Sequence, residues 1–223
     1  MNPRECALEV HRCLIEKYGE PSWRDPMPIL DELISTILSQ NTNDTNRDRA
    51  FTQLKKSFVS WENVRDADVS EVIAAIRSAG LANQKGPRIQ KILRQITAER
   101  GTLDLNFLNA LTDEGAWEWL KQFKGVGPKT ASIVLLFSLG KAAFPVDTHI
   151  QRVTGRIGLR PEKMSNEKAH LFLAKLFPPE TYIGAHLNII RLGREVCHPR
   201  KPACEACVLQ SICDFYQKSQ NRL

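Results

Sequence analysis

Four cysteines lie in one short stretch, Cys197, Cys204, Cys207 and Cys213, with six, two and five residues between them. Four thiolates from so short a segment can wrap one tetrahedral or cuboidal centre, and zinc and a [4Fe–4S] cluster both accept four cysteines. Zinc ribbons more often use two Cys-x-x-Cys knuckles and this stretch has one, but spacing alone leaves both metals open. Disulfides fit less well. The start, Met1-Asn2-Pro3-Arg4-Glu5-Cys6, carries charges where an export signal has its apolar run, so a reducing compartment is expected.

A second stretch with chemical potential is Leu120-Lys121-Gln122-Phe123-Lys124-Gly125-Val126-Gly127-Pro128-Lys129-Thr130-Ala131. Two glycines permit a tight turn and close approach of backbone to a ligand. Val126 between them can plug the turn into a core. Pro128 suits the first position of a new helix, whose unpaired N–H groups and positive end favour a phosphate. Such an element grips a phosphate backbone without reading sequence. A plain helix–helix turn is the bland alternative. Residues 121–130 hold three lysines and no acid, which favours the binding reading. Lys129, in the first turn, is either a phosphate contact or, freed of its proton, a nucleophile able to form a Schiff base. Eighteen residues on, Asp147 in Phe144-Pro145-Val146-Asp147-Thr148-His149 precedes a helical stretch. It is either an N-cap contributing about 1 kcal/mol or a carboxylate that stabilises a cationic transition state.

The elements that must position these groups are helical. The 223 residues are 42% hydrophobic and 25% charged, enough for a real core and too apolar for disorder. The longest apolar run, Ala131 to Leu139, is interrupted by two serines and is too short to span a bilayer. Net charge is +6, compatible with a polyanion partner, and residues 84–101 carry +4 of it (five Lys and Arg against Glu99). A solvated helix face is the bland reading of that run. Period-2 alternation is almost absent. Helical spacing predicts helices over 4–18, 29–39, 44–58 (capped by Asn43), 68–79 (stopped by Gly80), 87–100 (starting at Pro87), 117–123, 128–139, 148–158, 166–176 and 181–195. The expected class is all-α.

Gly125-Val126-Gly127-Pro128-Lys129-Thr130-Ala131 followed by Val146-Asp147-Thr148-His149 resembles the signature of the helix-hairpin-helix DNA glycosylases. The cysteine spacing resembles the iron–sulfur loop of the endonuclease III branch, and the resemblance runs from Ile29 to Cys213. It implies a six-helix barrel domain over 26–141, an iron–sulfur cluster domain from 1–25 and 142–223, and a DNA cleft between them. It implies that Lys129 attacks C1′ of the damaged nucleotide and that Asp147 assists departure of the base and the later steps. A [4Fe–4S] cluster on Cys197, Cys204, Cys207 and Cys213 would be structural, all four positions being filled. Lys124, Gly125, Val126, Gly127 and Thr130, with Arg200 and Lys201 of the cysteine loop, would touch the phosphate backbone.

The same resemblance makes Leu81 a wedge that enters the base stack; a hydrophobic contact at a helix end is its alternative. It makes Gln40, Asn41 and Asp44 one wall of the base pocket, although these are also good turn and capping residues. The family commonly has Gln where this chain has Asn41, one methylene shorter. The expected function is a bifunctional glycosylase and abasic-site lyase for damaged bases, oxidised pyrimidines first. The alternatives are a uracil or mismatched-thymine glycosylase with weak lyase activity, and a non-catalytic DNA-binding module, against which Lys129 and Asp147 argue. The expected partner is double-stranded DNA with a damaged base or abasic site, met by a monomer in the cytoplasm at the nucleoid, neither secreted nor in a membrane.

Overall fold

The computed structural model describes residues 2–22, 25–161 and 163–220. Met1, Trp23, Arg24, Glu162 and residues 221–223, which the expected 1–25 and 142–223 segments include, lie outside the described residues. Among the described residues are twelve α-helices, short 3₁₀ turns and no strand. The chain divides into two compact units, Pro26–Gly140, and Met1–Asp25 with Lys141–Leu223. Helix α1 (Pro3–Tyr18) opens the second of these.

Pro26–Gly140 is built around α2 (Ile29–Ser39), which packs against α3 (Asp44–Ser57), α6 (Ala82–Arg100) and α8 (Pro128–Phe137). Helix α2 is central because Ile29, Leu30, Leu33, Ile34, Ile37 and Leu38 leave it almost no polar face, and all six are buried. Burial of one such side chain stabilises by about 1.5–3 kcal/mol. The short α4 (Trp61–Asp66) and α5 (Val69–Ala75) lie on α6, and α7 (Asp113–Lys121) packs on α8. Asn43 does cap α3, its side chain accepting from the Asn46 N–H at 2.9 Å.

The largest departures from the helical spacing are three. The stretch 68–79 is not one helix: α5 ends at Ala75, and Arg77–Ala79 tightens into a 3₁₀ turn that keeps Ile76 and Ala79 both fully buried. Helix α6 begins at Ala82, not Pro87. Pro87 costs it one backbone hydrogen bond, but Ala82, Lys85 and Gly86 are buried in its first turns. A Cβ on Gly86 would stand 2.9 Å from the Ile73 side chain, so only glycine lets α5 and α6 approach this closely. Helix α7 begins four residues before 117, because the Thr112 side chain caps it by accepting from the Gly115 N–H at 3.1 Å.

In the other unit, α11 (Tyr182–Glu195) packs on α1 and on α9 (Thr148–Ile157), while α10 (Asn166–Leu176) meets α1. Val10, Leu14, Ile150, Val153, Leu173 and Ile189 form its core. The closing α12 (Asp214–Gln220) rests on α9. It has no buried residue and α4 has six residues in all, so neither leaves a periodic signal in the sequence. Among the described residues no helix is long and apolar enough to cross a membrane.

Candidate functional site

In Pro26–Gly140, α7 and α8 are joined by a turn that the Val126 N–H closes onto the Phe123 carbonyl at 2.9 Å. Phe123 and Val126 are buried in the core, while Lys124, Gly125 and Lys129 face solvent. Gly125 has φ +92°, and a Cβ there would meet Arg88 Cδ at 2.5 Å. Glycine is therefore required twice, for its backbone angle and for the guanidinium laid against it. Gly127 is the N-cap of α8 and brings no side chain to its first turn, Pro128 is the first helical residue, and Lys129 follows. The positive end of the helix and the exposed amine thus face water together.

Gln40 braces this turn. Its Nε2 donates to the Gly125 carbonyl at 3.0 Å and to Thr130 Oγ1 at 3.4 Å, and its Oε1 accepts from Arg88 at 3.1 Å. The structure thus brings together Gln40, Gly125 and Thr130, three of the residues marked in the sequence, and adds Arg88, which composition shows only as one charge in a basic run. Gln40 spends its amide on the hairpin. The neighbouring Asn41 is exposed, with φ +53°. Asp44 is the first residue of α3 and pairs with Arg47 at 3.0 Å on the surface, an interaction of little energetic weight. Leu81 precedes α6 in the left-handed region (φ +50°, ψ +31°) with 46% of its surface exposed. A leucine in that region costs about 1–2 kcal/mol, and here no burial offsets it.

In the other unit Asp147 is the N-cap of α9, its side chain accepting from the Ile150 N–H at 2.8 Å. The segment that delivers it is rigid. Phe144 stacks on Phe177 at 4.9 Å and meets Tyr182 edge-on. The buried His170 Nδ1 lies 3.2 Å from the Val146 N–H and 3.1 Å from the Phe144 carbonyl and bonds one of them according to its tautomer, and the buried His186 bonds the Pro145 carbonyl at 3.0 Å. Two backbone positions just before Asp147 are therefore tied at once, one to α10 and one to α11. Arg152, one turn into α9, contacts His149 and donates to the Gly193 and Cys197 carbonyls.

The Cys197–Cys213 segment begins where α11 ends, the Cys197 N–H donating to the Leu192 carbonyl at 2.8 Å. None of the four cysteines is in a disulfide, and all four line one small space, partly open to solvent, with Arg156, Pro202, Gln210 and Phe215. Among the described residues no three Cys, His, Asp or Glu side chains converge on a point where one metal ion would sit. Four thiols lining one shared space fit the four-cysteine ligand set of a [4Fe–4S] cluster. Burial pushes the Cys204, Cys207 and Cys213 thiols up from their ordinary value, which disfavours bare thiolates. Arg156 clamps the loop, donating to Cys197 Sγ at 3.3 Å and to the His198 and Pro199 carbonyls at 2.7 and 2.9 Å. Arg200 and Lys201 project beyond the clamp, both exposed, Lys201 with φ +48°.

Residues 34–179 match the HhH-GPD superfamily of base excision DNA repair proteins, and residues 197–213 match the iron–sulfur binding domain of endonuclease III. The chain is 33% identical over 186 residues to the endonuclease III of Sulfolobus acidocaldarius, covering 82% of this chain and 81% of that protein. Over 152 residues, 68% of this chain, it is 41% identical to an Arabidopsis thaliana protein provisionally named a DNA glycosylase, and it spans only about half (52%) of that relative's length. A solved structure of a trapped endonuclease III–DNA covalent intermediate superposes with a TM-score of 0.79 at 25% identity, over 99% of both chains. The all-α fold and its two sequence signatures therefore define a helix-hairpin-helix repair glycosylase fold with an iron–sulfur segment. The chain belongs to the HhH-GPD superfamily of base excision DNA repair proteins, in its endonuclease III branch, whose cofactor is a [4Fe–4S] cluster.

Proposed function

We propose that this protein binds double-stranded DNA, removes a damaged base and cleaves the strand at the resulting abasic site. The observation that carries this reading is Lys129: an exposed amine, second residue of a helix capped by glycine, beside a Gly-Val-Gly turn braced by Gln40 and Arg88. The N-terminus of α8, with Lys124 and Thr130, holds a phosphate of the backbone. Lys129 Nζ forms a bond to C1′ as the bond from C1′ to the base breaks, and the electron pair leaves with the base. The Asp147 carboxylate, fixed by its cap, opposes the positive charge that develops on the sugar. Loss of the amine proton and opening of the ring give a Schiff base. Removal of a C2′ proton then expels the 3′ phosphate, and water hydrolyses the imine to release the enzyme.

Cys197, Cys204, Cys207 and Cys213 would hold the [4Fe–4S] cluster, which supplies a four-point tie for the loop that presents Arg200 and Lys201 to phosphates. Exposure of Leu81 and Asn41 supports their roles as wedge and base contact for an extruded nucleotide. Borohydride trapping tests the whole reading, on duplexes carrying an abasic site, thymine glycol, dihydrouracil, uracil, mismatched thymine or 8-oxoguanine. Wild type should trap at the abasic site and at the lesions it excises, and Lys129→Ala at none. No trapping by wild type at any duplex would overturn the lyase assignment.

A further inference from the structure

Lys85 stands in the first turn of α6, and among the described residues its side chain is one of the largest that are fully buried. Burying an ammonium group is strongly unfavourable unless acceptors replace its water. Here two do: Nζ donates to the Leu38 carbonyl at 2.7 Å and to the Ala79 carbonyl at 2.9 Å. Both oxygens end a helical stretch, Leu38 in the last turn of α2 and Ala79 at the close of the 3₁₀ turn, where spare carbonyls favour a cation. Each is followed within three residues by a residue held in the left-handed region. Among the described residues three that are not glycine adopt it, and two of the three are Asn41 and Leu81. Both are exposed. One buried amine is thus bonded to the roots of two turns 40 positions apart in sequence, and each turn holds one left-handed residue out to solvent, Leu81 at a cost in strain and Asn41 at little.

We infer that Lys85 is a positioning residue that ties the turn carrying Asn41 to the turn carrying Leu81, holding the amide and the apolar side chain at a set separation for an extruded base and the gap it leaves. This deepens the proposed function and rests on it for the role of the two side chains; the tether itself is a property of the fold. A polar group spent on core carbonyls makes no phosphate contact, so Lys85 does not belong to the solvated basic face of residues 84–101. An abasic nucleotide, with no base to read and little stacking to break, depends on this geometry less than a damaged base does.

The test compares the holoprotein with Lys85→Met, which keeps the volume and removes the donors, and with Leu93→Ala, a core truncation on the same helix. Amide hydrogen exchange is followed in peptides spanning 39–44 and 79–84, alongside base excision and abasic-site cleavage. In Lys85→Met, exchange in these two turns should accelerate by about tenfold or more while the 121–130 hairpin keeps its protection. Excision should fall about tenfold and abasic-site cleavage less than about threefold, the scale of lost hydrogen bonds to a charged group. In Leu93→Ala the two activities should fall together. Unchanged exchange in both turns would overturn the inference, as would a Lys85→Met that matches Leu93→Ala in every readout. If wild type neither excises nor cleaves, the proposed function fails, and the exchange comparison still decides the tether.

Discussion

The turn before α8 and the turn before α6 are inside-out versions of one another. In Gly125-Val126-Gly127-Pro128-Lys129 the apolar residue is buried and the lysine faces water. In Gly80-Leu81-Ala82-Asn83-Gln84-Lys85 the apolar residue faces water and the lysine is buried. The first turn spends its side chains on its own anchorage, Phe123 and Val126 in the core and Gln40 on its carbonyl, and so presents backbone N–H groups and a free-standing amine. The second anchors itself through an ammonium on two carbonyls, and so can hold out a leucine that water alone would push inward. Two lysines in the first turns of two helices thus have opposite work, and what separates them is whether acceptors wait beneath the helix.

Substitutions can break this contrast at several points. The largest effect should be at Lys129: replacement by alanine should lower abasic-site cleavage on the order of 10³-fold or more, while DNA affinity, read by fluorescence anisotropy, changes by about threefold or less. Stability should show the reverse pattern. Lys85→Met leaves two buried carbonyls without a partner and should cost about 2–4 kcal/mol, lowering Tm by roughly 5–12 °C, whereas Lys129→Met should leave Tm nearly unchanged. Equal Tm values for the two variants would end the comparison.

Gly125→Ala combines an unfavourable backbone angle with a clash against Arg88 and should cost about 1–3 kcal/mol in thermal unfolding. Gly127→Ala, whose added methyl meets nothing within 4 Å, should cost less than about 1 kcal/mol. At Asp147 the two readings separate: Asp147→Asn keeps a good cap and should shift stability by less than about 0.5 kcal/mol while excision falls on the order of 10²-fold. Asp147→Ala should lose about 1 kcal/mol of stability as well. The smallest effect should be at Lys124, where alanine lowers the salt dependence of DNA binding by about one phosphate contact across all sequences.

Local signals account for what was legible without a structure. Asn43 and Asp147 accept from N–H groups three residues on, and Pro128 brings a fixed φ and no N–H to a first turn, so their helix starts could be read from the chain alone. The two glycines around Val126 and the spacing of four cysteines are likewise contained in a few residues. Helix α6 starts earlier than its local signal because Pro87 reads as a first helical residue, while the burial that overrides it comes from Ile73 and from α2. Gln40 reaches the hairpin across 85 positions and Lys85 reaches Leu38 across 47. Neither contact leaves a periodicity or a spacing to find. The sequence by itself determined most of the helices, the Asn43 and Asp147 caps, the hairpin and the four-cysteine segment, because each depends on residues a turn or two apart. Only the tertiary structure decided which amide braces the hairpin and which lysine is buried, because those depend on carbonyls that folding brings from far along the chain.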